Sequence, residues 1–368
     1  MKIGITGAFG FLGSNFIATL LREGYSADNV IAFYSHTREN PVFDASLVTS
    51  RKLDIRNYND VLEKTKDIDI LCHFAGKVSY RKTEARSIWE TNVHGSRNIF
   101  EAGFNNHVAK ILYISSINVL GAPPVTTTPG TEENNVYDKR YKNPNYIESS
   151  AMALALIERS LKGDFSFLKK VKVPYFDSKL AALELARSYT RERGLPIITV
   201  FPGTVVGPGD IHKDISELVD RVYRSALLFT FTGGTSFVDV RDCARGIYLS
   251  LKKGTPGSGY IISGKDEDNL SYKDFMKRIA DTALSSGSFV RDRFMAVPHP
   301  LALSVGFISE LFNPSSSLTT ALVQSGKMTH AFTSGKAKNE LGYAPEYDLR
   351  DSITDCYSFL PEASVKGL

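Results

Sequence analysis

KIGITGAFGFLGSNFIATLLREG, residues 2–24, decides the fold of this chain. Its first five residues form a short apolar strand, three glycines spaced three apart follow, and a helical pattern then runs to a glycine stop at Gly24. A glycine turn between a strand and a helix lets the backbone approach a pyrophosphate and aims the helix N-terminus at it. A glycine triplet alone also suits tight packing, but its place directly after the first strand predicts a dinucleotide site. The turn residues predicted to contact the dinucleotide are Gly7, Gly10, Phe11, Leu12 and Gly13.

Apolar strands alternate with amphipathic helices after this turn. The alternation predicts an α/β fold, a Rossmann-type doubly wound parallel sheet covered on both faces, with a smaller C-terminal α/β substrate domain. We expect residues 1–203 to form the NAD(P)-binding Rossmann domain and residues 204–368 mainly the substrate-binding domain, with a segment of about 236–253 returning to the first domain. Strands are predicted at residues 2–6, 30–34, 67–76, 110–116 and 196–202, with one more that ends near Asp54.

The composition is that of an ordinary soluble globular protein. The chain has 368 residues, of which 42% are hydrophobic and 23% charged, enough for a large core. The net charge of +4 is spread along the chain, so we expect no nucleic-acid-binding patch. Three cysteines lie far apart without a metal-binding spacing, and the chain enters a strand at once. We therefore expect a cytoplasmic protein without a metal site, a signal peptide or a membrane span.

The residues after the second strand normally decide which ribose is bound. VIAFY, residues 30–34, is followed by Ser35, His36, Thr37 and Arg38 rather than by an acidic residue. An acidic side chain there would bind the free 2′-hydroxyl of NAD, whereas Ser35 and Arg38 accommodate a 2′-phosphate. NADP is therefore the expected cofactor, with NAD as the alternative, since a single arginine is often only a solvated loop charge.

The segment KVPYFDSKLAALELARSYT, residues 172–190, places Tyr175 and Lys179 four apart on one helix face. A phenol becomes reactive at neutral pH if its pKa is lowered from about 10 by about three pH units, or about 4 kcal/mol. An ammonium about 4 Å away supplies on the order of 4 kcal/mol at an effective dielectric constant of about 20. Tyr175 can then act as an acid or a base. Tyr248 and Lys252 share the spacing, but they end a helix before a glycine, so we interpret them as structural.

Motifs along nearly the whole chain resemble those of the extended short-chain dehydrogenase/reductases, most closely the dihydroflavonol reductase branch. They are TGAFGFLG (6–13), LDI (53–55), HFAG (73–76), TNVHGS (91–96), ISSINVLG (114–121), YFDSK (175–179), FPGTVVGPGD (201–210) and FVDVRDCARGIYLSL (237–251). The resemblance implies a catalytic triad of Ser116, Tyr175 and Lys179, the serine lying five residues before Gly121. In this scheme Tyr175 transfers the proton to or from the substrate oxygen, and Ser116 hydrogen-bonds that oxygen. Lys179 holds the nicotinamide ribose and lowers the pKa of the tyrosine.

Further cofactor contacts are predicted at the strand ends. The segment after the fourth strand is expected to pass under the cofactor, Asp54 to accept from the adenine amine, and the loop after the sixth strand to border the nicotinamide. Asn92 suits packing as well as cofactor binding, and we interpret His73 as a strand-end residue rather than a catalyst. Besides Ser35, Arg38, Tyr175 and Lys179, these contacts are Asp54, Ile55, Phe74, Ala75, Gly76, Asn92, Ser115, Pro202, Gly203 and Val205.

Two segments depart from or extend the family pattern. An inserted helical segment at about 140–172 carries a predicted capping box of Asn145 and Glu148. It either covers the substrate mouth or a partner surface, or packs as a surface excursion on the sheet edge. LALSVGFISELF, residues 301–312, is too short to span a bilayer. We expect it to be a buried or substrate-facing helix, with contact to a membrane surface as the alternative.

The favoured function is that of an NADP-dependent carbonyl reductase or alcohol dehydrogenase acting on a small hydrophobic or phenolic molecule. The alternative is an NAD-dependent nucleotide-sugar epimerase or dehydratase, which needs diphosphate ligands, for which Arg221 and Arg224 are candidates. A non-catalytic dinucleotide sensor is disfavoured because such proteins tend to lose the tyrosine or the lysine. By analogy with the family, helices at residues 84–103 and 173–193 would pair in a homodimer. Asp242 and Arg245 are interpreted as residues that hold the domains together.

Overall fold

The computed structural model describes residues 1–36, 39–124, 128–211, 215–226, 229–314 and 316–360. Arg38, a predicted cofactor contact, lies outside this part of the chain. The strands are β1 (Ile3–Thr6), β2 (Val30–Tyr34), β3 (Thr49–Lys52), β4 (Ile70–His73), β5 (Lys110–Ile114), β6 (Ile197–Pro202), β7 (Thr204–Val206), β8 (Phe229–Thr230), β9 (Gly234–Asp239), β10 (Gly259–Ile262), β11 (Asn269–Ser271), β12 (Met295–Ala296) and β13 (Thr329–His330). The helices are α1 (Phe11–Arg22), α2 (Tyr58–Lys64), α3 (Ala85–Trp89), α4 (Gly95–Asn105), α5 (Ser150–Leu161), α6 (Pro174–Arg193), α7 (Ser216–Tyr223), α8 (Val240–Lys253), α9 (Tyr272–Ser285), α10 (His299–Phe312), α11 (Thr320–Gly326), α12 (Gly335–Leu341) and α13 (Leu349–Ser358).

The main sheet has seven parallel strands in the order β3-β2-β1-β4-β5-β6-β10. The strand order reverses at β1, which lies between β2 and β4. This doubly wound order confirms the predicted fold class, and it puts the ligand-binding crevice at the carboxyl ends of β1, β4 and β5. The sequence prediction missed the seventh strand. Because β10 pairs with β6, the chain that returns to this sheet extends to Ile262, beyond the predicted end at residue 253.

Apolar side chains cover both faces of this sheet. Along β2, Val30 and Ala32 pack into the core on the side of α1 and α8, whereas Ile31 and Phe33 pack into the core on the side of α2, α4 and α6. Strands that are buried on both faces carry continuous apolar runs, which is why the sequence shows VIAFY here rather than an alternating pattern. Tyr248 packs against the α1 side, in agreement with its structural interpretation.

A second, smaller sheet forms around β9, which pairs with β7, β11 and β13. Helices α7, α9 and α13 cover it, and the rings of Phe237 and Phe275 stack there at 3.8 Å. The carboxylate of Asp242 accepts hydrogen bonds from the N–H groups of Glu346 and Tyr347 at 2.9 Å. This contact ties α8 to the C-terminal segment, so the structural interpretation of Asp242 is confirmed.

The inserted segment forms α5, but this helix begins later than predicted. Ser149 is its N-cap and accepts a hydrogen bond from the N–H of Met152 at 3.2 Å, so the predicted capping box of Asn145 and Glu148 is wrong. The reason is tertiary. The backbone N–H groups of Tyr146 and Ile147 donate to the buried Asp177 carboxylate on α6, which holds this stretch outside the helix.

Helix α5 packs on the outer helices of the Rossmann domain. The indole N–H of Trp89 on α3 donates to the Ser160 hydroxyl at 2.9 Å, and the Trp89 and Phe167 rings meet edge to face at 4.9 Å. Residues 174–186 of α6 are buried on every side. One face of α5 is therefore buried against these helices, and coverage of the crevice stays a prediction. The homodimer contact expected for the helices at residues 84–103 and 173–193 stays a prediction.

Helix α10 lies on the surface. Only Ala302 and Gly306 of its fourteen residues are buried, so the expectation of a buried helix is wrong. None of the helices in the described part of the chain combines the length and apolar character that crossing a bilayer requires.

Candidate active site

The glycine turn between β1 and α1 forms a backbone cradle. Gly7 has a φ of +69°, and the N–H of Gly10 donates to the Gly7 carbonyl at 3.0 Å. A Cβ atom on Gly7 would lie 2.7 Å from the Ala75 nitrogen, and one on Gly13 would lie 2.2 Å from the Gly7 oxygen. Both positions therefore require glycine. Helix α1 begins immediately afterwards at Phe11, so its N-terminus faces the crevice, which fits a dinucleotide pyrophosphate.

The loop after β4 runs beside this turn. Phe74 and Ala75 are half-buried, whereas Gly76 is exposed. A Cβ atom on Gly76 would lie 3.3 Å from Asn92 Oδ1 and 3.4 Å from Lys179 Nζ. Glycine at this position thus leaves space above the amine of Lys179, where a ribose hydroxyl would fit.

Asn92 lies on a π-helical turn, Glu90–His94, between α3 and α4. Its Oδ1 accepts from the Lys77 N–H at 2.7 Å, and its Nδ2 donates to the Lys77 carbonyl at 3.0 Å and to the Ser178 hydroxyl at 2.9 Å. Asn92 therefore fixes the loop that follows Gly76. Single π turns inside helices are frequent at functional sites because they redirect one side chain.

His73 belongs to a buried chain of hydrogen bonds. Its Nδ1 lies 2.7 Å from the Thr6 hydroxyl and its Nε2 lies 2.9 Å from the Ser96 hydroxyl, which donates to the Asn92 carbonyl at 2.6 Å. Since Ser96 donates onward, His73 is protonated on Nε2, and Thr6 donates to Nδ1. Burial lowers the pKa of His73 to about 3, so the ring is neutral. This confirms the interpretation of His73 as a strand-end residue.

Two residues of the predicted triad, Lys179 and Ser116, lie at the carboxyl end of β5, and the third, Tyr175, lies on the same helix as Lys179. Lys179 is buried, and its ammonium donates to the Ile114 carbonyl at 3.0 Å. Burial lowers the pKa of Lys179 to about 8. Tyr175 lies one turn earlier on α6 and is 9% exposed. Ser116 follows Ile114 by two residues, and its hydroxyl accepts from the Asn118 N–H at 3.3 Å.

Apolar and aromatic groups surround Tyr175. The ring of Tyr80 lies 6.4 Å from the rings of Tyr175 and Phe176, and His330 meets Phe176 edge to face at 5.8 Å. Burial lowers the pKa of His330 to about 4, so it adds no charge near neutral pH. Tyr80 and His330 were not predicted as neighbours, because they are distant from Tyr175 in the sequence and carry no local motif. The cluster around the tyrosine consists of Tyr80, Ala122, Val173, Phe176, Ala321 and Met328.

The predicted adenosine contacts lie at the ends of β2 and β3. Ser35 is exposed, and its hydroxyl lies 2.9 Å from the ring of His36. The carboxylate of Asp54 is paired with Arg56 at 2.8 Å, and this guanidinium holds the pKa of Asp54 below its usual value. The side chain of Ile55 is buried in the core, so only its backbone is available to a cofactor.

The residues predicted to border the nicotinamide have structural contacts. Pro202 ends β6 and is buried. A Cβ atom on Gly203 would lie 2.7 Å from the Ser236 carbonyl oxygen, so glycine here permits close packing against β9. Val205 pairs with Val238 in the second sheet and packs into the core on the α1 side. Contact of these residues with a cofactor stays a prediction.

The predicted residues that the structure brings together at the crevice share the carboxyl edge of the main sheet. The arrangement offers the glycine turn as a backbone cradle for a pyrophosphate. It also offers the Lys179 ammonium next to the exposed Gly76, and the hydroxyl groups of Ser115 and Ser116 at the end of β5. These groups can bind a dinucleotide and exchange a proton with a substrate oxygen. The residues are Gly7, Gly10, Phe11, Leu12, Gly13, Ser35, Phe74, Ala75, Gly76, Ser115, Ser116, Tyr175 and Lys179.

Asp177 lies two residues after Tyr175 and is fully buried. Its carboxylate accepts from the N–H groups of Tyr146 and Ile147 at 2.8 and 2.9 Å. Burial nevertheless raises its pKa from 3.8 to about 7, because two hydrogen bonds do not replace the lost hydration.

Asp177→Asn should therefore change how stability depends on pH. The folded state binds more protons than the unfolded state between the unfolded pKa of 3.8 and the folded pKa of about 7. Asp177 thus makes stability fall as pH rises through that window, by up to about 4 kcal/mol. We expect the free energy of unfolding, measured in urea, to fall less for Asp177→Asn than for the wild type over this range. The exposed variant Asp28→Asn should follow the wild type, and equal slopes for all three proteins would contradict the prediction.

Comparison with known families agrees with this site. Residues 4–165 match the 3-beta hydroxysteroid dehydrogenase/isomerase family, and residues 158–263 match the NAD dependent epimerase/dehydratase family. The two matches together span the glycine turn, the serine pair, and the Tyr175 and Lys179 helix.

Relatives and solved structures cover nearly the whole chain. A putative dihydroflavonol 4-reductase of Synechocystis sp. is 23% identical over 361 residues, which is 95% of this chain and 92% of that protein. A decarboxylating sterol-4-alpha-carboxylate 3-dehydrogenase of Candida albicans is 23% identical over 389 residues, covering 97% of each chain.

Solved structures share the fold. The structure of gox2253 has a TM-score of 0.75 at 24% identity and covers 97% of each chain. A dTDP-glucose 4,6-dehydratase from Streptomyces venezuelae, solved with NAD bound, has a TM-score of 0.68 at 20% identity and covers 98% of this chain and 96% of that one. The family matches, the relatives and the seven-stranded sheet agree with the motif resemblance. Together they confirm the resemblance to the extended short-chain dehydrogenase/reductases of the NAD-dependent epimerase/dehydratase superfamily, whose members are NAD(P)-dependent enzymes.

Proposed function

We propose that the protein is an NADP-dependent carbonyl reductase or alcohol dehydrogenase that acts on a small apolar substrate through Ser116, Tyr175 and Lys179. The bound nicotinamide supplies or accepts the hydride. Tyr175 donates its phenol proton to the substrate oxygen, and Ser116 donates a hydrogen bond to the same oxygen. The ammonium of Lys179 stabilises the phenolate that Tyr175 becomes. Its N–H groups not used by Ile114 are available to the ribose.

The position of Lys179 carries this proposal. Its ammonium is buried, and the effect that shifts its pKa is burial, with no compensating carboxylate among the described residues. A buried charge without an opposite charge is costly to the fold, which indicates a chemical role rather than a stabilising one. Its pKa of about 8 keeps it mainly charged at neutral pH, one turn from Tyr175.

The surroundings of Tyr175 support an apolar substrate. Tyr80, Phe176 and Met328 pack in one apolar cluster with Tyr175. Such groups pack against an aliphatic or aromatic skeleton and offer little to a sugar ring.

The alternative is a nucleotide-sugar epimerase or dehydratase, the activity named for several proteins of the same fold. The two arginines considered as diphosphate ligands lie on α7, where Arg221 pairs with Glu217 at 2.6 Å and Arg224 pairs with Asp220 at 2.8 Å. Both guanidinium groups already have intrahelical partners. This observation favours the reductase.

A carbonyl screen tests the proposed function together with its cofactor. We expect oxidation of NADPH in the presence of apolar aldehydes or ketones, with NADH less effective. Ser35 lies at the carboxyl end of β2, so Ser35→Asp should repel the 2′-phosphate and bind the free ribose hydroxyl of NADH. We expect it to raise the KM for NADPH about tenfold or more, since a lost charge-assisted hydrogen bond costs about 1.5–3 kcal/mol.

The control is Ser26→Asp, which introduces the same charge just before β2, at the opposite edge of the sheet. It should leave both KM values unchanged. A thermal shift caused specifically by UDP- or dTDP-sugars, without NADPH oxidation by any carbonyl, would favour the alternative. An unchanged NADPH preference in Ser35→Asp would reject the assignment of the 2′-phosphate site.

A further inference from the structure

Helix α10 exposes large apolar side chains to solvent. Six of them are between 45 and 83% exposed: Leu301, Val305, Phe307, Ile308, Leu311 and Phe312. An apolar helix in a water-soluble fold is normally buried, and a cluster of exposed apolar residues marks an interaction surface. This helix therefore needs a partner.

The orientation of α10 follows from its small residues. Ala302 and Gly306 face the protein, and a Cβ atom on Gly306 would lie 3.3 Å from the backbone of Thr319. This close approach turns the large side chains outward. Apart from His299 at its start, the helix has one acidic or basic residue, Glu310, whose carboxylate accepts from the Thr320 hydroxyl at 2.9 Å. The outward face is thus apolar, since the Glu310 carboxylate is hydrogen-bonded to the protein.

Exposed basic residues flank the N-terminal end of α10, two of them before it in the sequence and one beside it in space. Arg291 and Arg293 are exposed in the segment that leads into α10, with Asp292 between them. Lys327 is exposed at the other side of the helix N-terminus, where burial and this nearby ammonium lower the pKa of His299. These four exposed residues, three cations and one carboxylate, have a net positive charge and are called the basic rim.

Two further apolar side chains extend the surface. Met295, just before α10, is 61% exposed, and Phe229 is 54% exposed. They are directly opposite each other in the parallel pair of β8 and β12, so their side chains share one face.

We propose that α10 docks onto the surface of an anionic phospholipid bilayer. The six apolar side chains enter the acyl region, and Arg291, Arg293 and Lys327 contact the phosphate headgroups. Fourteen residues extend about 21 Å, which is shorter than the hydrocarbon core of about 30 Å, so the helix lies along the surface. A second copy of the chain fits less well, because a two-fold contact would bring the same basic rim against itself.

The docking helix is connected to the active site. Thr319, in the segment that packs under Gly306, donates to the Tyr80 carbonyl at 3.1 Å, and the Tyr80 ring contacts Tyr175. Ala321 and Met328 of the following segment belong to the cluster around Tyr175. The proposed surface therefore lies next to the apolar side of the crevice.

Vesicle flotation tests the proposal. We expect the wild-type protein to float with vesicles of phosphatidylcholine and phosphatidylserine and to bind pure phosphatidylcholine more weakly. Phe307→Asp/Leu311→Asp should reduce the partition coefficient about tenfold or more, because each side chain buries a large apolar surface. The control Leu47→Asp/Leu161→Asp changes two exposed leucines elsewhere and should bind as the wild type does. Arg291→Gln/Arg293→Gln should weaken binding to the anionic vesicles about tenfold.

A fluorescence reporter gives an independent readout. The chain has one tryptophan, Trp89, which is buried. Phe307→Trp should therefore show a blue shift of emission on addition of the anionic vesicles that the wild type does not show. Equal flotation of the α10 variant and its control would overturn the proposal. Concentration-dependent dimers of the wild type without lipid, lost in Phe307→Asp/Leu311→Asp, would assign this face to a second copy and overturn it as well.

Discussion

Tyr175→Phe should lower kcat about a thousandfold while the affinity for NADPH changes little. The phenol is the proton donor in the proposed reaction, and a positioned acid or base contributes about 10²–10⁴ in rate. The substitution leaves Lys179 in place, because its ammonium donates to the Ile114 carbonyl. The expected signature is thus a loss in kcat without a comparable loss in NADPH binding, measured by steady-state kinetics and by fluorescence titration.

The chain contains its own control for this prediction. Tyr248 and Lys252 have the same spacing on α8, but Tyr248 packs on the α1 side of the sheet. Tyr248→Phe should retain wild-type kcat, which shows that the spacing alone does not create the activity. Wild-type turnover by Tyr175→Phe would refute the assignment of the proton donor and with it the proposed triad.

Gly13→Ala should destroy cofactor binding and destabilise the fold. The added methyl group would lie 2.2 Å from the Gly7 carbonyl oxygen and 3.2 Å from the Ala8 Cα atom, both of which are backbone atoms that cannot rotate away. Alanine improves helix propensity by about 1 kcal/mol, but overpacking of a rigid site costs about 1–3 kcal/mol and displaces the turn. Because the displaced turn is the proposed pyrophosphate cradle, we expect the Kd for NADPH to rise at least about a hundredfold.

Gly335→Ala is the matched control. Gly335 also lies near a helix N-terminus, at the start of α12, but an added methyl group meets its nearest neighbour, Thr333, at an ordinary 3.8 Å. We expect unchanged NADPH affinity and a melting temperature equal to or slightly above that of the wild type. NADPH affinity near the wild-type value in Gly13→Ala would show that the turn does not hold the pyrophosphate.

Local motifs predicted much of the Rossmann domain and of the candidate site. The glycine turn after β1 is a local arrangement, because Gly7 and Gly13 must be glycine for steric reasons that involve neighbours close in sequence as well as Ala75. Because Tyr175 and Lys179 are four residues apart, they share one face of their helix whatever the surrounding fold. The continuous apolar runs of the strands are the direct result of burial on both sheet faces.

Predictions failed where a distant contact decides the outcome. The N-cap of α5 is Ser149 rather than the predicted Asn145, because the Asp177 carboxylate accepts hydrogen bonds from the preceding backbone. Residues 259–262 form the strand β10 because they pair with β6. The exposure of α10 follows from the packing of Ala302 and Gly306 against the segment at Thr319. The apolar sequence of this helix alone predicts that it is buried.

The sequence by itself determined the doubly wound sheet, the pyrophosphate turn and the pairing of Tyr175 with Lys179, since each depends on spacing along one or two adjacent elements. Only the tertiary structure decided which groups surround the tyrosine, where the insertion packs and which face of α10 meets solvent. The physical reason is that burial and its effect on the pKa of Lys179 and Asp177 arise from residues far apart in the chain. Such contacts leave no periodic pattern in the sequence from which they could be predicted.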